Sequence, residues 1–234
     1  MPPLVKSVPG AILTPIPAGL GAAEPRGALI GARPQRIKRI FDVLFALLFG
    51  ILTLPLGLVI ALAIALESRG PLLFAHTRIG KGNRRFRLWK FRSMVVNADQ
   101  VLERYLAAHP ESAAEWLHGH KLKNDPRVTR VGRWLRRTSL DELPQLWNVL
   151  RGDMSMVGPR PIVEEEIVKY RAFSLYSQVA PGLTGLWQVS GRNDTSYGKR
   201  VELDSAYIRD WTFCMDLRVL LKTVRVVLVG KGAY

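Results

Sequence analysis

From Val43 to Leu66 no residue carries a charge. As a helix rising about 1.5 Å per residue this stretch is about 36 Å long, enough to cross the hydrocarbon core of a bilayer. Hydropathy alone therefore predicts a membrane-crossing helix. The flanks predict something else. Arg33, Arg36, Lys38 and Arg39 precede the stretch, and Arg69, Arg78, Lys81, Arg84, Arg85, Arg87, Lys90 and Arg92 follow it. Basic clusters next to a span favour the cytoplasm, so a simple crossing strands one of them on the wrong side. Pro55 lies mid-segment, where it removes one helical hydrogen bond and kinks the backbone, and Gly50 and Gly57 soften the same region. A helix–break–helix hairpin that enters and leaves by the cytoplasmic leaflet satisfies both flanks. Asp42, one turn after Lys38, suits either an interfacial cap or a special role at the entry.

Beyond the apolar segment the period changes. Phe86, Leu88 and Trp89-Lys90-Phe91-Arg92 alternate bulky apolar with basic residues after Gly80-Lys81-Gly82-Asn83, predicting a short β-hairpin. Asn97 to Leu117 reads as helix, interrupted near His109-Pro110 because proline disfavours helical geometry in the residue before it. Asn124-Asp125-Pro126-Arg127-Val128-Thr129-Arg130 is a turn that leads into Gly132-Arg133-Trp134-Leu135-Arg136-Arg137. Val201 to Trp211 is helical. Leu217 to Val229 is an apolar helix or buried strand. As a helix it carries Arg218, Lys222 and Arg225 on one face and Leu220, Leu221, Val224 and Leu228 opposite, which suits the membrane interface or a core. The first 35 residues, rich in Pro, Gly and Ala, have no period and read as a disordered tail, without the basic start and apolar run of a secretory signal. The expected fold is α+β and mostly helical: a tail (1–35), a re-entrant membrane hairpin (36–68) and a cytoplasmic catalytic domain with interfacial helices (69–234).

Charge narrows the partners. The chain has 34 Lys and Arg against 19 Asp and Glu, a net +15, which implies an anionic partner: nucleic acid, phosphorylated small molecules or acidic lipid. Cations alternating with aromatics also suit nucleic acid, but beside a membrane segment lipid headgroups are the better match. The single cysteine, Cys214, excludes an internal disulfide and fits a reducing compartment. The histidines show no zinc spacing, and His118 and His120 read as polar surface.

The densest chemistry is the run Arg137-Thr138-Ser139-Leu140-Asp141-Glu142-Leu143-Pro144-Gln145-Leu146. Ser139 and Glu142 have the spacing of a helix capping box, but Pro144 disrupts the helix that such a box begins. Five arginines lie between Arg127 and Arg137, and beside paired carboxylates they point to a diphosphate, which the planar guanidinium matches in bidentate fashion. Arg136 and Arg137, together with helix amides, are expected to hold Asp141 ionised, and an ionised carboxylate can attack phosphorus. Two anions meet only where arginines and a divalent metal neutralise them. Mg²⁺ fits, taking one or two carboxylates and completing its shell with phosphate oxygens and water.

This run and Arg151-Gly152-Asp153-Met154-Ser155-Met156-Val157-Gly158-Pro159-Arg160-Pro161 resemble the signature of the monotopic phosphoglycosyl transferases, a group of bacterial sugar transferases. So do the Lys90-Phe91-Arg92-Ser93-Met94 segment, Asp125-Pro126-Arg127-x-Thr129, and Pro181-Gly182-Leu183-Thr184-Gly185-Leu186-Trp187-Gln188-Val189-Ser190-Gly191-Arg192. The likeness runs from Lys38 to Tyr234. It implies transfer of a sugar 1-phosphate from a UDP-sugar to undecaprenyl phosphate, with release of UMP. It implies Asp141 as the nucleophile of a covalent aspartyl–phosphosugar, Glu142 as ligand of Mg²⁺, ping-pong kinetics, and a re-entrant helix broken near Pro55. Arg136 resembles the arginine that steadies the phosphate, and Arg137, Arg160, Lys90, Arg92, Gln188 and Arg192 are carried over as phosphate or nucleotide-sugar contacts. Asp153 either joins them or shapes its turn. The C-terminal residues from Lys222 resemble the short-form enzymes that prime exopolysaccharide with glucose or galactose phosphate, at the cytoplasmic face of the inner membrane and without the extra membrane domain of longer relatives. No nucleic-acid partner is implied, and homo-oligomerisation is left open. The competing reading from another class is a non-catalytic membrane adaptor that binds acidic lipids or proteins through its basic surface.

Overall fold

One helix, α1 (Ala32–Glu67), holds the whole apolar segment and is long and apolar enough to cross a membrane, by length and composition. The computed structural model describes residues 28–119, 122, 124–191 and 195–229. Residues 1–27 of the expected tail, His120, Arg192 and the ending from Gly230 to Tyr234 lie outside the described residues. The tail assignment ends too late: Leu29 is 2% exposed, the amides of Ala28 and Leu29 donate to the Arg209 and Ile208 carbonyls, and α1 already begins at Ala32. Composition missed this, because one buried leucine and two backbone bonds leave no periodic trace.

Helix α1 continues across Pro55, so the expected break is not an interruption of the helix. Two bending devices lie close together there. Pro55 has no N–H for the Ile51 carbonyl, and the Thr53 hydroxyl donates to the Phe49 carbonyl at 2.6 Å, a back-bond that bends helices. The buried residues of α1 are Lys38, Asp42, Ala46, Ile60 and Ile64. Their four-residue spacing marks one face that meets protein near both ends of the helix. Between them Leu48, Ile51, Leu52 and Leu58 are each more than half exposed.

Both ends of α1 dock on the same globular body. Near the start, Arg39 donates to the Val149 carbonyl and, at 2.6 Å, to that of Leu150, two carbonyls at the end of α5 (Gln145–Arg151). The Asp42 carboxylate accepts from the Ser155 hydroxyl and the Met156 amide, both at 3.0 Å, so it is neither an interfacial cap nor near the candidate chemistry. At the far end, Glu67 accepts from the Arg130 and Val131 amides at 2.6 and 3.1 Å, capping α4 (Arg130–Thr138). Thr129 caps the same helix, accepting from the Gly132 amide at 2.9 Å.

The hairpin forms as the alternation predicts. Strand β1 (Leu73–Ile79) pairs antiparallel with β2 (Arg85–Phe91), and Gly82 and Asn83 take positive φ in the turn. The helical stretch that follows is split at His109 into α2 (Ala98–Ala108) and α3 (Pro110–Gly119). A second sheet, with no period in the sequence to announce it, pairs β3 (Ser155–Val157) in parallel with β4 (Gly182–Thr184). Gly158 and Gly182 permit the approach, since a Cβ on either would clash with the other's backbone. Helices α6 (Phe173–Tyr176), α7 (Leu186–Val189), α8 (Tyr197–Arg209) and α9 (Phe213–Val229) complete the chain. The last is a helix, not a strand, and packs on the core through Val219, while Leu217, Leu221 and Val224 are exposed. The main core gathers Ala46, Val149, Met156, Val157, Tyr207 and Val219 around the parallel pair, and a smaller one joins Ile60 and Ile64 to Phe91 and Leu135.

Candidate active site

The chain after α4 turns sharply. Ser139 sits in the left-handed region (φ 57), its amide donating to the Arg136 carbonyl at 3.2 Å, and Leu140–Glu142 form a single 3-10 turn. The capping box does not form, because Ser139 ends one helix and its side chain does not cap the turn. Pro144 then precedes α5, where its fixed φ suits a helix start. This tight turn points Asp141 inward at 7% exposed, with Glu142 beside it.

Lys90 joins the two acids. Its ammonium lies 2.7 Å from Glu142 Oε1 and 3.5 Å from Asp141 Oδ2. Arg136 approaches from α4, its Nε donating to Ser93 Oγ at 2.9 Å. A Cβ at Gly132 would overlap the Ser93 carbonyl, so only glycine lets α4 come this close. Burial pushes the Asp141 carboxyl above its ordinary value, Lys90 pulling it down, Glu142 pushing it up and Arg136 pulling it down. Burial thus opposes the stabilisation of ionised Asp141 by arginines that the sequence predicts. Burial also lowers the Arg136 guanidinium, against the pull of Asp141 and Asp125.

These groups floor a cavity of about 890 Å³. Its polar wall adds Arg160 and Gln188, and its apolar wall is built by Phe49 and Thr53 of α1, Leu73 and Phe91 of the hairpin, and Leu220 and Val224 of α9. Thr184 and Thr223, both on its wall, share a hydrogen bond at 2.7 Å that ties β4 to α9. Arg160, between two prolines, lies 5.3 Å above the Trp187 ring centroid.

Lys90 and Arg136 thus adjoin Asp141 and Glu142, and Arg160 and Gln188 line the same cavity. Arg137 does not: it is exposed and outside the cavity wall. Arg92 borders the cavity, but its guanidinium donates to the Ser68 and Arg69 carbonyls, both at 2.7 Å, and so fastens the end of α1. Asp153 is also remote. It accepts from Asn148 Nδ2 at 3.1 Å, and that amide joins α5 to β2 through the Arg87 carbonyl and the Trp89 amide. Residues passed over in the sequence are Ser93, His76, Arg78 and Trp187, all on the cavity wall. Period two offered a signal for two of them, since His76 and Arg78 share the face of β1 that pairs with Lys90, Leu88 and Phe86.

Among the described residues no three His, Cys, Asp or Glu side chains gather as a metal site. Two adjacent carboxylates are still a fitting donor set for a magnesium ion that draws its remaining ligands from phosphate and water.

Comparison with known proteins agrees with this arrangement. The chain is 51% identical over 199 residues to the UDP-galactose-lipid carrier transferase of Erwinia amylovora, an alignment covering 85% of this chain and 42% of that protein. It is 49% identical over 199 residues to the undecaprenyl-phosphate galactose phosphotransferase of Salmonella typhimurium, again 85% of this chain and 42% of the relative. The exopolysaccharide production protein ExoY of Rhizobium meliloti is 44% identical over 220 residues, 94% of either chain. The chain therefore spans less than half the length of the first two relatives. Residues 33–230 match the bacterial sugar transferase family, and the chain belongs to it.

Proposed function

We propose that this chain transfers a sugar 1-phosphate, glucose or galactose 1-phosphate, from a UDP-sugar to undecaprenyl phosphate and releases UMP, the first membrane step of exopolysaccharide or related glycan synthesis. The observation that carries this reading is the cavity, which joins paired carboxylates, Asp141 buried and Glu142 partly so, under a basic rim to an apolar wall supplied by α1 and α9. One wall suits a diphosphate and the other a polyprenyl chain. An adaptor needs the basic surface but has no use for two carboxylates on a cavity floor.

In the first half-reaction an Asp141 carboxylate oxygen attacks the sugar-bearing phosphorus. The new O–P bond forms as the bond to the bridging oxygen breaks, and its electron pair leaves on UMP. Lys90 and Arg136 hold the phosphate oxygens and favour ionised Asp141 once the diphosphate is bound. In the second half-reaction a polyprenyl phosphate oxygen attacks the same phosphorus and frees Asp141. Glu142 would hold a magnesium ion, which supplies neutralisation of the diphosphate charge.

The attachment of α1 supports a re-entrant topology on the cytoplasmic face of the inner membrane. Arg39 and Glu67 both cap helices of the one body that contains the site. A hydrocarbon layer of about 30 Å cannot separate two ends that are bound to one polar domain.

Radiolabelled UDP-sugar without acceptor should label the wild type, with the label on Asp141, and Asp141→Asn should lose labelling and UMP release together. Glu142→Gln should lose roughly 10²–10³-fold in rate, about 3–4 kcal/mol of transition-state stabilisation. A wild type that turns over unlabelled, beside an active Asp141→Asn, would mean direct transfer.

A further inference from the structure

The inner face of the hairpin carries more chemistry than Lys90. Register pairs Phe74 with Lys90, His76 with Leu88 and Arg78 with Phe86, so Lys90, His76 and Arg78 lie on one face along the cavity. At about 3.3 Å per residue, Arg78 stands roughly 13 Å further along β1 than the Phe74–Lys90 pair. There it meets Arg160: the amide of the next residue, Ile79, donates to the Ile162 carbonyl at 2.9 Å, which lays the Arg160 segment along the end of β1. Burial, then the Arg160 charge, lower the Arg78 guanidinium while Glu166 opposes them. A third arginine, Arg200, is already engaged, with Glu166 at 3.2 Å and Asp204 at 3.8 Å. Among the described residues neither Arg78 nor Arg160 has a carboxylate within salt-bridge distance, and Arg78 Nε is buried without a hydrogen-bond partner. Two guanidiniums brought together against their own repulsion, on a cavity wall and beside the indole of Trp187, call for an anion.

We propose that Arg78 and Arg160 form a second anion subsite that binds the phosphate of the departing nucleoside monophosphate. The inference rests on the transferase reading above. When the bond to the bridging oxygen breaks, that oxygen becomes a terminal oxygen of UMP and takes the electron pair, so charge grows on the leaving phosphate and no proton is required. Two planar donors placed there stabilise the charge as it appears. Arg78 acts only in the half-reaction that handles nucleotide, because the lipid phosphate enters after UMP has left.

The test separates the two half-reactions in the full-length protein. Arg78→Gln should raise the UMP inhibition constant and the KM for UDP-sugar about tenfold or more, the loss of one charge-assisted hydrogen-bond pair. The KM for polyprenyl phosphate should change less than about twofold. Arg78→Lys, which keeps charge and loses the fork, should fall between. Calorimetric binding of UMP to Asp141→Asn, with and without Arg78→Gln, reads the same subsite without turnover and should weaken equally. An unchanged UMP constant, or equal rises for both substrates, overturns the subsite. A wild type that releases no UMP from any UDP-sugar defeats the transferase reading instead, and UMP binding insensitive to Arg78 then defeats the subsite as well.

Discussion

Burial raises the carboxyls of both Asp141 and Asp204, and the two acids differ in what they face. Asp141 lies under Lys90 and opens on the cavity, so an anion that enters and draws Lys90 away would alter its state. Asp204, in α8, is fully buried and accepts from the Tyr170 hydroxyl at 3.0 Å, with Arg200 as its nearby cation. Burial pushes its carboxyl up to about 7, against the pull of Arg200, Tyr170 and Arg160. The folded value is above the unfolded one, so the native state keeps a proton that the unfolded chain releases from about pH 4 upward. This group's contribution to stability is therefore complete below about pH 4 and declines until about pH 7. At about 1.4 kcal/mol per unit, the decline has an upper limit of a few kcal/mol. Asp204→Asn keeps an acceptor for Tyr170 and carries no charge, so it should flatten that slope. Chemical denaturation at pH 5 and pH 8 compares the two proteins, and equal slopes in both would remove Asp204 as the cause.

At the scale of elements, α1 is fixed by charge as much as by apolar packing. Lys38 lies 2.6 Å from Asp216 at the start of α9 and 3.7 Å from Asp42, all three nearly buried, and the Tyr207 hydroxyl donates to Asp216 at 2.6 Å. Replacing Lys38 by Met leaves two buried carboxylates without their cation, a change that costs about 3–5 kcal/mol. Adding Asp216→Asn should recover more than half of that loss in urea unfolding of the detergent-solubilised protein. A double variant no better than Lys38→Met alone would trace the loss to packing. The pattern of the chain showed some of these elements and hid others for physical reasons. Alternation around Lys90 is enough for the hairpin, and Pro110 for the break between α2 and α3. The parallel β3–β4 pair has three residues a strand, too few to show a period. Lys38 reaches Asp216 across 178 positions, a pairing that only tertiary folding produces. The acid pair and Arg136 stood out because they are local and dense. Arg92 and Arg137 looked equivalent to them, since spacing does not show which way a guanidinium turns.

For the whole molecule the decisive relation is between an apolar helix and a body that grips both of its ends. As a straight rod α1 would measure about 54 Å, longer than the hydrocarbon core of a bilayer, and its exposed middle is where Pro55 and Thr53 weaken the hydrogen-bond ladder. In the proposed topology, entry and exit by one leaflet would bury that middle in lipid while Arg39 and Glu67 stay bound to the globular body. Single cysteines, one placed in the first 27 residues and one in α2, test this in a Cys214→Ser background, because the native cysteine is exposed. Both should be shielded from an impermeant maleimide in intact cells and should react after permeabilisation. Pro55→Leu restores an amide to the Ile51 carbonyl and should straighten the helix, moving a fraction of the tail to the outside. If the tail stays inside in Pro55→Leu, the contacts at the two ends, not the proline, set the bend. A wild-type tail that reacts from outside intact cells, with the α2 site protected, would mean that α1 crosses the membrane and that its two ends do not hold one body.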